Sequence, residues 1–217
     1  MSVNPNVTRP ERPKRILLVA ANPAVSTVTG WPVGFWWSEL THPWWAFTEA
    51  GYEVEIRSPD GGSLVADGYS DPEDPSGYSA HDVLSLGFKH SSGHAALLRD
   101  TKSITDVHPS GYDAIFIVGG QSPMITFPGH APLQRLVAAF HAAGKVTALV
   151  CHATCLLLEV RRADGSLLVE GKTWTGFADS EEAFVDASVG RRFQRFTIET
   201  EARRLADTNF VVDQRFR

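Results

Sequence analysis

Cysteine is scarce in this sequence, and the two present, Cys151 and Cys155, lie four residues apart. So close a pair cannot build the disulfide framework of a small secreted protein. An excess of positive charge is missing as well, since 20 Lys and Arg stand against 25 Asp and Glu and no window is strongly basic. A nucleic-acid-binding protein normally carries a basic stripe, so we expect no nucleic-acid partner.

Long apolar runs are also missing, because none approaches the ~20 residues that cross a bilayer. Residues 1–14 contain prolines but no apolar core, so we expect a flexible N-terminal arm rather than a signal peptide. The chain does have 217 residues, 43% of them hydrophobic, which is enough to bury a core. These features predict a single domain over residues 15–217 in a cytoplasmic protein with no membrane partner.

Apolar runs alternate with helical patterns along the chain. The predicted strands are residues 15–21, 52–58, 113–118 and 145–150, and the predicted helices are residues 36–50, 131–143 and 151–160. This alternation is typical of an α/β fold whose parallel sheet is covered on both faces. Pro43 predicts a kink or a break in the first helix. Residues 63–109 are polar, with one predicted helix at 94–101, and are interpreted as an insertion over the active-site edge.

Ligands of such a sheet bind beyond the carboxyl ends of its strands, where Gly119, Gly120 and Cys151 are expected to lie. Two successive glycines allow a substrate to approach the backbone and offer N–H groups to a developing oxyanion. The pair lacks the flanking pattern of a phosphate-binding loop. The eight histidines are scattered without ligand spacing, so we predict no metal site.

Cys151 follows a predicted strand directly and begins a predicted helix, which is typical of a nucleophile elbow. A helix N-terminus favours the thiolate and so lowers the pKa of a cysteine there. Cysteine is also one of the most buried residue types, and position alone fits a packed core thiol equally well. Cys155, one turn further on, is expected to be such a core thiol.

His152 and Glu39 are the other candidates for chemistry. His152 is positioned to act as a base at an irregular elbow, although spacing alone favours a surface histidine. Glu39 lies among Trp and Phe residues, where desolvation would raise the pKa of its carboxyl and keep it protonated near neutral pH. Spacing alone instead favours a glutamate on the solvated face of a helix.

Five ordered blocks of sequence resemble the ThiJ/PfpI superfamily, the relatives of class I glutamine amidotransferases. The blocks are SELTHP (38–43), GYEV (51–54) with SPDGG (58–62), YDAIF (112–116) with GG (119–120), VCH (150–152), and GKT (171–173) with TGF (175–177) and EE (181–182). Within the superfamily the chain is most similar to the branch of glyoxalase III and heat-inducible chaperones. The resemblance implies an α/β flavodoxin-like three-layer sandwich with a mostly parallel sheet and a nucleophile elbow.

The resemblance also implies roles for particular residues. Cys151 would be the nucleophile, His152 its partner and Glu39 the buried acid beside the thiolate. The third member of the triad would be Glu182, with Glu181 as the alternative. The expected oxyanion and substrate-binding residues are Gly119, Gly120, Gln121 and Trp37.

The implied activity is that of a cofactor-free glyoxalase III, which converts a 2-oxoaldehyde of the methylglyoxal type into a 2-hydroxy acid. Gln121, Ser122 and Pro123 replace the usual residues after the glycine pair, and Ala153 and Thr154 follow Cys-His. Two alternatives therefore stay open: an isonitrile hydratase or amidase-like enzyme using the same cysteine, and a redox-sensing or holdase chaperone. The expected partners are a small carbonyl or C–N substrate and a second copy of the chain in a homodimer.

Overall fold

The structure is a computed structural model that describes residues 13–213. The strands of this part of the chain are β1 (Arg15–Val19), β2 (Ala24–Val25), β3 (Pro32–Val33), β4 (Glu53–Ser58), β5 (Lys102–Ser103), β6 (Ala114–Ile117), β7 (Val146–Leu149), β8 (Thr173–Trp174) and β9 (Asn209–Phe210). Its α-helices are α1 (Trp37–Glu49), α2 (Val83–His90), α3 (Ser92–Ala96), α4 (Pro123–Thr126), α5 (Ala131–Ala142), α6 (Asp179–Val189) and α7 (Ile198–Ala202). Short 3₁₀ helices cover Gly68–Ser70, Pro109–Gly111 and Cys151–Leu158.

The central sheet has five strands in the order β5-β4-β1-β6-β7, and every neighbouring pair is parallel. The chain leaves β1 towards β4 and β5 and then crosses to β6 and β7, so the strand order reverses beside β1. Crevices outside the carboxyl ends of strands at such a reversal are the usual ligand sites of α/β sheets. The predicted α/β flavodoxin-like sandwich is confirmed.

Strand β1 explains why the sheet is covered on both faces. Leu17 and Val19 belong to a first apolar cluster, which also contains Leu133 and Phe140 of α5. Leu18, on the opposite face of the strand, belongs to a second cluster that also holds Leu40 of α1 and Phe88 of α2. Because successive side chains of a strand point to opposite faces, an uninterrupted apolar run fits a strand buried on both sides.

Helix α1 continues through Pro43 as one helix, so the predicted break into two helices is wrong. The proline removes one backbone hydrogen bond in the helix. The same helix buries Trp37, Leu40 and Thr41 against the second cluster. Tertiary packing of this face therefore outweighs the local cost of the proline.

The secondary structure of residues 63–109 differs from the prediction of a single helix at 94–101. The structure instead has α2 and α3, and the Asp82 side chain begins α2 by accepting a hydrogen bond from the Ser85 N–H at 3.1 Å. Leu64 and Leu98 of this region join the second apolar cluster, and β5 extends the sheet beside β4. The expected N-terminal arm is residues 1–14, and its residues 1–12 lie outside the part of the chain that the structure describes. In the described part of the chain, no helix has the length and hydrophobicity to cross a membrane.

Candidate active site

The candidate site lies where β6 and β7 end. Gly119 and Gly120 follow β6, while Cys151 and His152 follow β7; we call these four residues the elbow. Cys151 has a φ of 54°, a left-handed conformation that costs free energy for a residue with a side chain. The Thr154 hydroxyl donates a hydrogen bond to the Cys151 carbonyl at 2.6 Å and so supports this conformation.

The glycine pair is required by close packing at the elbow. A Cβ on Gly119 would lie 2.6 Å from the Cys151 Cβ and 2.5 Å from a carboxyl oxygen of Glu39. Gly120 has a φ of 105°, and a Cβ there would lie 2.6 Å from the Gly34 carbonyl oxygen. The structure therefore requires glycine at both positions for packing within the protein, and the approach of a substrate to this backbone stays a prediction.

Two backbone N–H groups, those of Gly120 and His152, are close enough to the Cys151 thiol to lower its pKa against the rise caused by burial. They are the two groups expected to face a developing oxyanion. A pair of fixed N–H donors around a nucleophile can stabilise negative charge on the sulfur or on an oxygen bonded next to it.

The His152 ring connects the thiol to a carboxylate. Its Nδ1 lies 3.3 Å from the Cys151 Sγ, and its Nε2 lies 2.8 Å from Oε1 of Glu182. Both the ring and the Glu182 side chain are buried, and Phe177 stacks on the ring with centroids 4.0 Å apart. The neighbouring Glu181 instead accepts a hydrogen bond from the Ala178 N–H at the start of α6. Of the two carboxylates, the structure brings Glu182 to the histidine.

Glu39 reaches the elbow from the first turn of α1. Its Oε2 accepts the Gly119 N–H at 2.9 Å, and its carboxyl is also hydrogen-bonded to Cys151. Burial raises the pKa of Glu39 from 4.5 to about 7, opposed by the Cys151 hydrogen bond and the nearby His152. The rise expected from an apolar setting is confirmed, and the carboxyl is protonated for much of the time near neutral pH.

The expectation of a low pKa for Cys151 is wrong. Burial raises its pKa well above 9, the Glu39 carboxyl raises it further, and the N–H groups of Gly120 and His152 oppose the rise. The helix that begins at Cys151 is a 3₁₀ helix whose residues 152–156 are all buried, so desolvation outweighs the expected dipole. Burial likewise raises the pKa of Cys155, whose Sγ lies 3.5 Å from the Pro123 carbonyl in the first cluster.

Asp67 is a site residue that sequence reasoning missed. Its side chain is buried, Oδ1 accepts the Gly34 N–H at 2.8 Å and Oδ2 accepts the Gln121 N–H at 2.7 Å. Burial raises the pKa of Asp67 to about 7, and the Glu39 carboxyl adds to the rise. No local pattern marks this residue, because its partners lie 33 and 54 positions away in the sequence.

A cavity of about 340 Å³ has Gln121, the residue that follows Gly120 of the elbow, in its lining. Its walls carry six aromatic side chains, and we call it the aromatic cavity: Trp31, Trp36, Tyr69, Tyr78, Phe184 and Phe193. Asp67 also lines it, and the Gln121 side chain accepts a hydrogen bond from Gln194.

Trp37, expected to bind substrate, does not line this cavity. It packs against Phe35 and Phe88 in the second cluster, with ring centroids 5.1 and 6.3 Å away. Trp37 and Leu40 share one face of α1, and that face turns towards the sheet. Within residues 13–213, no group of three or more His, Cys, Asp or Glu side chains is arranged to hold a metal ion.

The chain matches the model of the DJ-1/PfpI family over residues 33–214. It is 29% identical over 166 residues to the probable glutathione-independent glyoxalase hsp3103 of Schizosaccharomyces pombe, covering 66% of this chain and 63% of that protein. A match to glyoxalase 3 of Candida albicans covers 60% of that protein. The chain thus spans about three fifths of the length of these curated relatives.

Solved structures share the fold. The Rapid Encystment Protein 24 KDa of Francisella tularensis superposes with a TM-score of 0.81 at 25% identity, covering 94% of this chain and 86% of that one. Glyoxalase III of Candida albicans superposes with a TM-score of 0.73 at 22% identity, covering 93% and 83% of the two chains. The second likeness shows the fold alone.

Proposed function

Because this chain belongs to the DJ-1/PfpI family, we propose that it is a glutathione-independent glyoxalase that converts a 2-oxoaldehyde into a 2-hydroxy acid. The observation that carries the proposal is the line of contacts from Cys151 through His152 to Glu182, with two backbone N–H groups close to the sulfur. The relatives named as glutathione-independent glyoxalases support the same activity.

The first step would be addition of the thiol to the aldehyde. Nδ1 of His152 takes the proton from Sγ, the sulfur bonds to the aldehyde carbon, and the proton passes to the new alkoxide oxygen. The product is a hemithioacetal. The N–H groups of Gly120 and His152 stabilise the alkoxide as it forms.

The second step would be an internal proton transfer. His152 removes the hydrogen of the former aldehyde carbon as a proton, giving an enediolate; the hydroxyl proton of that carbon passes to the neighbouring oxygen, and His152 returns its proton to the neighbouring carbon. One carbon is oxidised and its neighbour is reduced, so no external oxidant or reductant takes part. The product is a thioester of Cys151 with a 2-hydroxy acid, and water then releases the acid and restores the thiol.

The two carboxyls have different jobs in this scheme. Glu182 holds the Nε2 hydrogen of His152 and stabilises the charged ring that forms when Nδ1 accepts a proton. Glu39, with its pKa raised to about 7 by burial, donates a hydrogen bond to the sulfur when protonated and so compensates the cost of a buried thiolate. The protein thiol plays the part of glutathione, so the proposed reaction needs no organic cofactor.

The test is conversion of methylglyoxal by the purified chain without glutathione, followed by enzymatic assay of lactate. We expect one lactate per methylglyoxal consumed, and none from the Cys151→Ala variant. Parallel reactions with an isonitrile and a small amide test the alternative enzymes. Turnover of either one without turnover of methylglyoxal would overturn the proposal in favour of that alternative.

Aggregation of a heat-denatured client protein tests the chaperone alternative. If Cys151→Ala suppresses aggregation as well as the unchanged chain does, and neither turns over any substrate, the holdase reading replaces the enzyme. The homodimer and the cytoplasmic location stay predictions, and light scattering at micromolar concentration checks the first.

A further inference from the structure

The aromatic cavity is built from segments far apart in the sequence. The Trp31 ring meets Phe193 edge to face at 5.9 Å, and the Trp36 ring meets Tyr78 in the same way at 6.1 Å. Tyr69 packs on Tyr78 at 6.4 Å. Such edge-to-face pairs hold aromatic rings at defined positions, so the shape of the cavity is set by contacts within the protein.

The aromatic cavity adjoins the elbow on two sides. Gln121, which lines it, follows directly on Gly120, whose N–H lowers the pKa of the Cys151 thiol. Trp36, another lining residue, donates its backbone N–H to the Gly119 carbonyl at 3.2 Å. The elbow backbone is therefore joined to the cavity wall at two lining residues, through the chain at Gln121 and through a hydrogen bond at Trp36.

Helix α6 contributes side chains to both the elbow and the aromatic cavity. Its Glu182 side chain is buried against His152, while Phe184 and Val185 line the aromatic cavity. The helix that carries the carboxylate of the elbow thus also supplies a wall for whatever is attached to the reacting carbons.

The size of the cavity separates small substituents from large ones. A dry cavity of roughly 150 Å³ is enough to bind benzene. At about 340 Å³, the aromatic cavity holds an aryl ring with room to spare, whereas a methyl group would leave most of it unfilled.

The charges of the lining select against acidic substituents. Asp67 and Asp74 line the aromatic cavity, and among the described residues that line it there is no lysine or arginine. The Asp74 carboxylate is half-buried and accepts the Ser76 N–H at 2.9 Å. A carboxylate on the substituent would lie near these two acidic groups, and the nearby guanidinium of Arg191 sits over the Trp31 ring, 5.9 Å from its centroid, rather than in the lining.

We propose that the aromatic cavity binds a neutral aryl or similarly large apolar substituent of the substrate, so that the chain prefers aryl 2-oxoaldehydes to methylglyoxal. This inference rests on the proposed function for its reaction and on the cavity for its specificity. Phenylglyoxal is the matching probe, because it replaces the methyl group of methylglyoxal with a phenyl ring.

The test compares kcat/KM for phenylglyoxal and methylglyoxal in the unchanged chain, Trp31→Ala and Phe184→Ala. We expect phenylglyoxal to be favoured by about tenfold or more, the range that pocket contacts with apolar groups supply. In each variant kcat/KM should fall much further for phenylglyoxal than for methylglyoxal, so that most of the preference is lost. The matched control is Val146→Ala, an exposed apolar residue at the start of β7. Equal kcat/KM values for the two aldehydes in the unchanged chain, or equal losses for both in the variants, would overturn the inference.

A binding measurement separates this inference from the proposed function. Calorimetric titration of Cys151→Ser with mandelate and lactate, the two products, requires no turnover. We expect mandelate to bind at least about tenfold more tightly than lactate, and Trp31→Ala to remove the difference. If this holds while no 2-oxoaldehyde is consumed, the cavity assignment stands and the proposed reaction fails. Equal or undetectable binding of both acids overturns the assignment.

Discussion

The elbow and the aromatic cavity are adjacent, yet they are constructed in different ways. At the elbow the functional geometry comes from backbone: a left-handed Cys151, a bare Gly119, and two N–H groups close to one sulfur. In the aromatic cavity it comes from side chains, several of them partly exposed, including Tyr78 and Phe184. A site built in this way can keep its chemistry while its specificity changes, because side chains of the cavity can be exchanged without moving the elbow.

The largest effect is expected at the elbow from Cys151→Ala. Removing the nucleophile should lower kcat/KM for every 2-oxoaldehyde by about 10³-fold or more, because no other group forms the covalent intermediate. Steady-state kinetics with methylglyoxal and phenylglyoxal measure it. The control is Cys155→Ala, which removes a buried thiol four residues away that does not touch the histidine. A comparable loss in Cys155→Ala would show that the two thiols had been assigned the wrong way round.

Glu39→Gln should make the protein more stable above pH 7. The pKa of Glu39 is raised from 4.5 to about 7, so the folded state binds this proton more tightly than the unfolded state. The buried carboxyl therefore costs nothing below pH 4.5, costs more as the pH rises towards 7, and costs its full amount above it. The shift corresponds to about 3 kcal/mol, which the neutral amide should recover at pH 8 but not at pH 5.

Urea unfolding of the two proteins at pH 5 and pH 8 measures this gain. Asp67, whose pKa burial also raises to about 7, adds a slope of the same sign to both proteins; because the Glu39 carboxyl adds to that rise, the Asp67 slope is smaller in the variant, which widens the difference at pH 8. Glu49→Gln, an exposed change on the same helix, is the control. The same difference in stability at both pH values would contradict a raised pKa for Glu39.

Glu182→Gln should lower kcat by about 10²-fold, with KM within about threefold, because the amide still accepts from Nε2 but cannot stabilise the charged ring. The plot of kcat against pH should also change, which a purely structural role would not produce. Glu181→Gln is the matched control, since that side chain binds the Ala178 N–H instead. If Glu181→Gln lowers kcat as much as Glu182→Gln does, the carboxylate seen at His152 is not the one that supports catalysis.

The contrast between elbow and cavity also explains what could be predicted from the sequence. Strands β1, β6 and β7 are apolar runs, β4 alternates between polar and apolar residues, and Gly119 and Cys151 each follow the end of a strand after one intervening residue. Local pattern and the rule for parallel sheets therefore suffice for four of the five strands and for the position of the elbow, whereas the two-residue β5 has no such pattern. Glu182 came from resemblance, since nothing in its spacing links it to a histidine 30 residues earlier.

The remaining differences arise where distant segments meet. Trp36 and Trp37 are adjacent, and only the packing of α1 on the sheet decides that Trp37 is buried in the core and Trp36 lines the cavity. The pKa of Cys151 depends on burial and on Glu39, which is 112 positions away by their residue numbers. Tertiary contacts of this kind leave no periodic trace in the sequence.

Asp67 lies between the elbow and the aromatic cavity, so a variant at this position tests directly which of the two regions it serves. It lines the aromatic cavity, but both carboxylate oxygens accept backbone N–H groups, one of them from Gln121 next to the elbow. In Asp67→Asn the amide nitrogen can only donate, so one of these N–H groups loses its acceptor. The residue after Gly120 is then less firmly held, and the Gly120 N–H is less well positioned near the sulfur. We expect kcat/KM to fall about tenfold, the worth of one hydrogen bond to a charged group, and to fall equally for methylglyoxal and phenylglyoxal.

The control for this last prediction is Asp74→Asn, which changes a carboxylate in the same cavity that is bound only within its own loop, to Ser76. It should leave methylglyoxal turnover unchanged. If Asp67→Asn instead spares methylglyoxal and slows phenylglyoxal alone, Asp67 belongs with the cavity and not with the elbow. Gln121 and Asp67 would then both belong to the region that sets specificity, and the region that performs the chemistry would end at Gly120.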